Sequence, residues 1–497
     1  MQNIYKKAIN HTVLYGASGI LRKIVGFLML PIYTRYLTPE HYGVAELIMM
    51  VVVLVEVFLA MRMGQAIFRF YCLAEDDNEK RSVMSTAFFV TIVTSTIACI
   101  CLALNADHAT AFFLGDTKYA DLLQLGAILL ITQALEEYGF IYIRVHQRAL
   151  LFFILSVIKL CISVSLNIYF IVFLDLSVNG IIYSACIASG TMAVFATGYC
   201  LYYSGFRFSM QQLKQLFLFS YPLWLAAGGA FYSESSVKYF LRVFSSLEDV
   251  GIFALAAQFA SLLFVLVWSP FVTTWQGMRY EIYEMPNAKE VYRKIFLAVA
   301  LLLSVAGLGL SLFSDTVIRL MADEAFWDAG KVVPIMTLAI ILRYIAQFNN
   351  FGFLLKKKTG MLAKAAYLNA VIITIGFVVF IPVIGLYGAA VALIFGSLAQ
   401  LTWIEIRSKS LYYMELPWFR FFVMTISWVA CYCLSYLLPE QLLIGIIGRL
   451  AIVLLFLILV FVLPILSKEE KQQILVYAKK AYNKISKKLG MKQLKVS

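Results

Sequence analysis

The chain of 497 residues is 62% apolar and only 14% charged, whereas soluble domains are roughly 45–50% apolar and about 25% charged. At about 20 residues per bilayer crossing, this composition supplies a dozen or more membrane spans. It excludes a water-soluble enzyme and a secreted disulfide scaffold. The eight cysteines lie in apolar stretches without CxxC spacing, and we interpret them as packing residues. The net charge of +13 suits an anionic membrane surface, and no basic-aromatic module indicates nucleic acid.

Polar breaks divide the chain into fourteen apolar segments, each predicted to be a transmembrane helix. Their lengths favour helices, since barrel strands need only about ten residues with strict alternation. The first segment follows Lys6 and Lys7 and contains no small-residue cleavage site, so we expect a retained helix. The segments are 12–36, 43–72, 83–104, 119–141, 149–174, 180–203, 216–244, 251–279, 292–314, 332–354, 361–383, 386–406, 418–438 and 441–466.

Lysine and arginine are distributed unequally between the connections on the two sides of the membrane. With a cytoplasmic N-terminus, fifteen of them lie in inner connections, and only Lys118, Arg319 and Lys331 lie in outer ones. This bias predicts a multi-pass protein with both termini cytoplasmic. The last stretch, 467–497, is predicted to be a basic amphipathic cytoplasmic tail.

The chain resembles itself at an offset of 208 residues, which indicates duplication of a six-helix unit. We predict two bundles, 1–208 (the first half) and 209–416 (the second half). A pseudo-twofold axis along the membrane normal would relate them around a central cavity. The last two spans, within 417–466, lie outside the repeat. The matched positions include Glu40 with Glu248, Gly43 with Gly251, Leu47 with Leu255, Gly180 with Gly388, Ser189 with Ser397, and the basic pair Arg148 with Lys356.

Charged residues within the spans are functional candidates, because a charge at the bilayer centre costs about 2.5–3.5 kcal/mol on insertion scales. Cations exceed carboxylates among them, which predicts a wet cleft that selects an anionic ligand. The residues predicted to bind substrate are Arg22, Lys23, Arg62, Gln65, Arg69, Lys159, Lys238, Arg242, Arg279 and Arg343. The carboxylates that oppose the cations are Glu56, Glu234, Glu136 and Glu137.

Several of these residues have a structural interpretation as well. Arg69, Arg242 and Arg279 lie near span ends, from which their side chains can extend to the interface. Glu234 and Lys238 are four residues apart on one helix face, a spacing that also predicts an internal ion pair without a ligand role.

The stretch GILRKIVGFLMLPIYTRYLTPEHYGVAEL, from Gly19 to Leu47, is followed by GQAIFRFY, from Gly64 to Tyr71. Together they resemble the opening of the bacterial polysaccharide flippases of the Wzx family. The stretch YFLRVFSSLEDVGIFALAAQFASLL, from Tyr239 to Leu263, resembles the start of that family's second half. The resemblance extends over essentially the whole helical region.

This resemblance implies a member of the superfamily that includes multidrug extruders and lipid II flippases. The implied cargo is an oligosaccharide repeat unit on an undecaprenyl pyrophosphate carrier, turned across the bacterial inner membrane by alternating access. The implied basic cavity positions are Arg22, Lys23, Arg62, Lys238 and Arg343. Lipid II flippases usually carry an Arg-Asp pair in the first span, where this chain has Arg22 and Lys23. Polysaccharide polymerase and chain-length machinery are candidate partners, and we expect a monomer.

Three other functions stay open. A drug or organic-cation antiporter driven by protons or sodium should have an acidic, aromatic cavity, and a lipid II flippase would carry a related cargo. A membrane enzyme usually needs a large outer loop, whereas the longest outer connection here, Ser314 to Lys331, is short. The histidines form no metal pattern and no GxxxxGK loop is present, so we expect no metal, no cofactor and no ATP use. Glu56 and Glu234 are the candidate carboxylates for coupling to an ion gradient.

Overall fold

Helices account for all regular secondary structure in the part of the chain that the structure describes, and no β-strand occurs there, so the predicted all-α class is confirmed. Ten helices in this part are long and apolar enough to cross a membrane, which supports a multi-pass membrane protein. The count of fourteen spans is compatible with these helices and stays a prediction. A computed structural model describes residues 19–21, 23–59, 63–358, 360–439, 442–467 and 470–472.

Eight α-helices follow a short helical stretch, 23–28, in the described part of the first half. The polar breaks expected from the sequence separate them. At one break Asp76 caps the next helix by accepting a hydrogen bond from the Glu79 backbone N–H at 2.6 Å. The helices are α1 (Leu30–Tyr36), α2 (Pro39–Leu59), α3 (Gly64–Leu73), α4 (Asp77–Leu104), α5 (Ala106–Phe113), α6 (Ala120–Val145), α7 (Ala149–Ile168) and α8 (Ser177–Ser204).

The second half begins at a serine cap. Ser209 accepts from the Gln212 N–H, and Ser246 caps the following helix by accepting from the Asp249 N–H. Two further helices, α16 (Trp418–Leu434) and α17 (Leu442–Val462), follow the second half. The helices of the second half are α9 (Met210–Phe244), α10 (Leu247–Ala260), α11 (Ser269–Tyr283), α12 (Ala288–Met321), α13 (Asp328–Phe348), α14 (Phe351–Leu355) and α15 (Gly360–Lys409).

The helix α15 is in fact two successive helices joined at a sharp bend. Its 50 residues would measure about 75 Å if straight, more than twice the thickness of the bilayer core. Ile384 and Gly385 leave the helical conformation, and Gly385 has φ of +56°, which favours glycine. Just beyond, a Cβ on Gly388 would lie 2.4 Å from the Phe380 carbonyl oxygen. The bend falls where the sequence predicts the break between two spans.

Two long helices, α6 and α9, are not among the ten that are long and apolar enough to cross a membrane. Both carry charged side chains at mid-helix, Glu136 and Glu137 on α6 and Glu234 and Lys238 on α9. Such residues are expected where a helix faces other helices or a wet cavity rather than lipid. These two helices therefore line the interior of the protein.

The two halves meet where repeat-related glycines face each other. A Cβ on Gly43 of α2 would lie 2.1 Å from the Leu247 carbonyl oxygen, and a Cβ on Gly251 of α10 would lie 2.0 Å from the Pro39 carbonyl oxygen. Only glycine permits backbones to approach this closely. We call this contact between Pro39, Gly43, Leu247 and Gly251 the outer contact, because the charge bias predicts that this end is periplasmic.

Toward the opposite end α2 and α11 pack against different neighbours. The helix α2 packs along α10, whereas α11, which continues α10, packs against α12. Phe58 and Leu59 at the end of α2 are exposed, and so are Thr273 and Gln276 on α11. The two halves are therefore in close contact at the outer contact, whereas side chains of α2 and α11 are exposed toward the end predicted to be cytoplasmic.

The cysteines are all free thiols, and only some of them pack in the interior. Cys200 and Cys431 are buried, as expected, but four of the eight are exposed on the outside of helices. In a bilayer such positions are covered by lipid, so the interpretation of every cysteine as a packing residue is wrong for Cys72, Cys101, Cys161 and Cys433.

Candidate functional site: two polar cavities and their ion pairs

A cavity of about 260 Å³ lies in the first half, with part of its wall supplied by α9. Glu56 on α2 is buried and lines it, and so does the predicted site residue Gln65 on α3. Glu137 on α6 is a third polar group of the wall, and its carboxylate accepts a hydrogen bond from Arg144. The described lining therefore combines two carboxylates with neutral polar groups.

A second cavity, of about 190 Å³, lies inside the second half. Glu234 on α9 and Arg343 on α13 form an ion pair on its wall, with 2.8 Å between the Arg343 Nη2 and the Glu234 Oε1. The Arg343 side chain is 39% exposed and that of Glu234 63% exposed, so a ligand in the cavity can reach the pair. Asn369 and Gln400 line the same wall and are hydrogen-bonded to each other.

The helix α9 joins these two cavities. Ser220 and Trp224, near its beginning, line the cavity of the first half, and Ser233 and Glu234, farther along, line the cavity of the second. One helix thus contributes polar groups to both halves. A change in the angle between the halves would move both walls together.

Lys238 crosses between the halves. Its Nζ lies 2.6 Å from Oε2 of Glu46 on α2, and both side chains are largely buried. The alternative pairing of Lys238 with Glu234 is wrong, because each of the two residues has its partner on another helix. Sequence reasoning missed Glu46, although it lies three residues after Gly43 on the face that meets the second half.

Lys159 is neutralised within the first half. Its Nζ lies 2.7 and 2.6 Å from the two carboxylate oxygens of Glu136, which connects α7 to α6. Glu136 is buried, so its charge depends on this partner. The Lys159 ammonium therefore holds two helices of the bundle together in this conformation.

Three predicted arginines make contacts near helix ends. The Arg69 guanidinium lies over the Phe219 ring, 4.9 Å from its centroid. Arg242 donates to the Ala111 carbonyl oxygen at 3.3 Å, beside the outer contact. Arg279 donates to Asn350 Oδ1 at 3.5 Å and lies over the Phe351 ring. Each of the three guanidinium groups therefore contacts a ring or an oxygen atom of another segment of the chain.

The remaining candidates belong to the first spans. Arg22 and Arg62 lie outside the described residues, and Lys23 is exposed on the helical stretch before α1. Among the described candidates, Lys159, Lys238 and Arg343 are each paired with a carboxylate. The predicted excess of positive charge in the cleft therefore depends on the first two spans.

The comparison with protein families decides what kind of protein carries these cavities. The family described as "Polysaccharide biosynthesis protein" matches residues 32–331, more than half of the chain. The chain belongs to this family. The sequence resemblance to polysaccharide flippases is thereby confirmed. No curated protein matches the chain significantly.

Solved structures show the same fold. "Lipid II flippase MurJ, inward closed conformation" is 15% identical, with a TM-score of 0.74 over 90% of this chain and 98% of that chain. An inward-facing "multidrug resistance MATE family transporter of the MOP superfamily" is 16% identical, with a TM-score of 0.59 over 78% and 95%. A mutant of the Vibrio cholerae MATE transporter VcmN is 14% identical, with a TM-score of 0.53 over 82% and 97%. This family member therefore has the fold of the MurJ and MATE transporters.

Proposed function

We propose that the protein is a flippase that turns undecaprenyl-pyrophosphate-linked oligosaccharide repeat units from the cytoplasmic to the periplasmic leaflet of the bacterial inner membrane. The observation that carries the proposal is the exposed Arg343 on the wall of the polar cavity of the second half, where its guanidinium can meet an anionic headgroup. Membership of the polysaccharide biosynthesis family supports a sugar cargo. Alternating access would open the outer contact to release the cargo on the periplasmic side. We place both termini in the cytoplasm.

The physical task is to carry a charged headgroup past hydrocarbon. An isolated ion loses far more on leaving water than lipid contacts return. Guanidinium groups replace water with bidentate hydrogen bonds to phosphate oxygens, so Arg343 in a hydrated cavity suits this task. Arg22 and Arg62, outside the described residues, are proposed to share it. The lipid tail stays in the bilayer, and no covalent step is needed.

The ion pairs suggest how transport is coupled to an ion. In the observed state the Glu234 carboxylate accepts a hydrogen bond from Arg343 and neutralises its charge, so it competes with a phosphate for the guanidinium. A proton or a cation that binds Glu234 would release Arg343 for the substrate. Glu56, buried in the other cavity, is the alternative coupling carboxylate.

The cellular test is surface glycan display. Neutralising Arg22 or Arg62, as Arg22→Gln and Arg62→Gln, should abolish display while the protein level and membrane insertion stay normal. Normal display in both variants would contradict a role for these arginines in cargo binding. Exposed Lys118, changed to Gln, is the control for loss of one positive charge on the other side.

Two other cargoes are distinguishable. The MurJ-like fold favours lipid II as the second candidate, and the acidic groups of the first cavity favour an organic cation as the third. Rescue of a strain depleted of its lipid II flippase would establish the former. Drug resistance conferred by expression, with unchanged glycan display on deletion, would establish the latter.

A further inference from the structure

A third cavity, of about 170 Å³, lies at the predicted cytoplasmic end of the first half, apart from the two cavities above. Side chains from α3, α4, α6 and α8 converge on it although they are far apart in sequence. None of its residues was a site candidate. Its polar lining includes Tyr71, Asp77, Lys80, Arg81, His146 and Tyr203.

Hydrogen bonds fix one wall of this cavity. The His146 Nδ1–H donates to the Tyr142 carbonyl oxygen at 2.9 Å, because a carbonyl can only accept. The other ring nitrogen, Nε2, then accepts from the Tyr71 hydroxyl, also at 2.9 Å. The imidazole and the phenol are therefore held in place before any ligand arrives.

The opposite wall is positively charged. Arg81 is exposed, and the Lys80 ammonium lies 3.6 Å from the Asp77 carboxylate, whose side chain is almost fully exposed. An ion pair with this long a distance and this much exposure contributes little to stability, so the Lys80 ammonium can exchange Asp77 for a ligand. Two cations, Lys80 and Arg81, and one carboxylate, Asp77, leave the lining with a net positive charge.

The second half shows that the fold does not require such a cavity. At the equivalent place, Tyr292 is buried, its hydroxyl donates to the Arg279 carbonyl oxygen at 2.6 Å, and its ring lies 6.0 Å from that of Tyr412. Packed aromatic rings therefore fill the space in the second half that is an open, polar cavity in the first half. The offset of 208 residues relates Tyr71 to Arg279, Met84 to Tyr292, Tyr142 to Asn350 and Ser204 to Tyr412.

We propose that this cavity binds a phosphate-class anion, either a free pyrophosphate or phosphomonoester or the phosphate of a lipid headgroup. Arg81 offers two parallel N–H donors to phosphate oxygens, and Lys80 adds a second charge. The Tyr203 hydroxyl supplies a neutral donor on the α8 side. The proposal does not depend on the flippase function, because it concerns binding alone.

The test is binding of inorganic pyrophosphate to the purified full chain in neutral detergent, measured by calorimetry at constant ionic strength. We expect saturable binding, weakened about tenfold in Arg81→Gln, since a charge-assisted hydrogen bond is lost. The matched control is Lys289→Gln, which removes a charge at the position equivalent to Arg81, and it should bind as the unmodified protein does. Tyr71→Phe should weaken binding by a smaller factor.

Three results would overturn the proposal: no saturable binding, equal binding by the Arg81 variant, or equal loss in the Lys289 variant. Pyrophosphate that still binds the Arg81 variant would occupy another site, which leaves the flippase proposal intact. Nanodiscs with and without phosphatidic acid distinguish the sources. Competition by phosphatidic acid assigns the cavity to a lipid headgroup, and its absence assigns it to a free phosphate.

Discussion

Two ion pairs of similar geometry lie in contrasting parts of the molecule. Lys238 and Glu46 connect the halves near the outer contact and are largely buried, whereas Arg343 and Glu234 line a cavity inside one half and are much more exposed. A buried pair is strongly destabilising when broken, while an exposed pair contributes little to stability. The first pair is therefore suited to hold a conformation, and the second to exchange partners with a ligand.

Removing the exposed cation should have the largest effect on transport and almost none on stability. We expect Arg343→Gln to lower the transport rate at least about tenfold, since a charged contact to phosphate is lost. The measurement is the initial transport rate at equal protein level. Lys331→Gln is the matched control, because Lys331 lies on the same helix, pairs with Asp328 at 2.7 Å and belongs to the end of the helix predicted to be periplasmic. Equal loss in both variants would contradict the comparison.

Breaking the buried pair should instead change the conformation. Lys238→Met leaves the Glu46 charge without its partner, and we expect about 2 kcal/mol of lost stability, reduced from the fully buried case by partial exposure. A cysteine introduced at Leu255 should become more accessible from outside as the outer contact opens. The exchanged pair, Lys238→Glu with Glu46→Lys, should restore closure. Failure of this exchange would mean that the two residues act independently.

The outer contact itself can be disturbed by one methyl group. Gly43→Ala places a Cβ against the Leu247 carbonyl oxygen, and overpacking of this kind costs about 1–3 kcal/mol. Gly198→Ala is the matched control, because no atom lies within 4 Å of its added Cβ and alanine favours the helix. Thermal unfolding in detergent should show a lower midpoint for the first variant and an unchanged or higher one for the second. Equal midpoints would contradict close packing at Gly43.

The smallest effect is expected at an exposed pair outside the predicted spans. The hydrogen bond from Lys289 lowers the pKa of the Glu415 carboxyl below its ordinary value of about 4.3. A lowered pKa in the folded state stabilises the protein above the unfolded pKa, and this contribution disappears as the pH falls through the folded pKa. Lys289→Gln should therefore lower the unfolding midpoint slightly at neutral pH and not at all near pH 3. A difference that grows in acid would contradict this pairing.

The sequence predicts the helices better than the partners of the charges. Hydropathy is a local property, and it predicts the break between spans at which the chain bends at Gly385. The internal repeat matches Gly43 with Gly251, which the structure brings together. The ion pairs depend on how each helix is rotated against its neighbours. Spacing alone paired Glu234 with Lys238, whereas helix packing gives each a partner on another helix.

Only some of the charged and polar residues predicted to line a cavity do so in the structure. Gln65 and Arg343 do line cavities, and Lys159 is held by Glu136 inside one bundle. The third cavity, beside His146, is not marked by any local motif, because its residues come from four separate helices. Comparing equivalent positions in the two halves would have marked it, since aromatic residues replace Met84 and Ser204 at the offset of 208.

The most direct test of the account is flipping by the purified protein in liposomes. A fluorescent undecaprenyl-pyrophosphate oligosaccharide is incorporated, and its exposure on the outer leaflet is followed with a membrane-impermeant quencher. We predict that the protein accelerates exchange between the leaflets, that Arg343→Gln abolishes most of the acceleration, and that Lys331→Gln keeps it. Exchange no faster than in empty liposomes would contradict the proposed function.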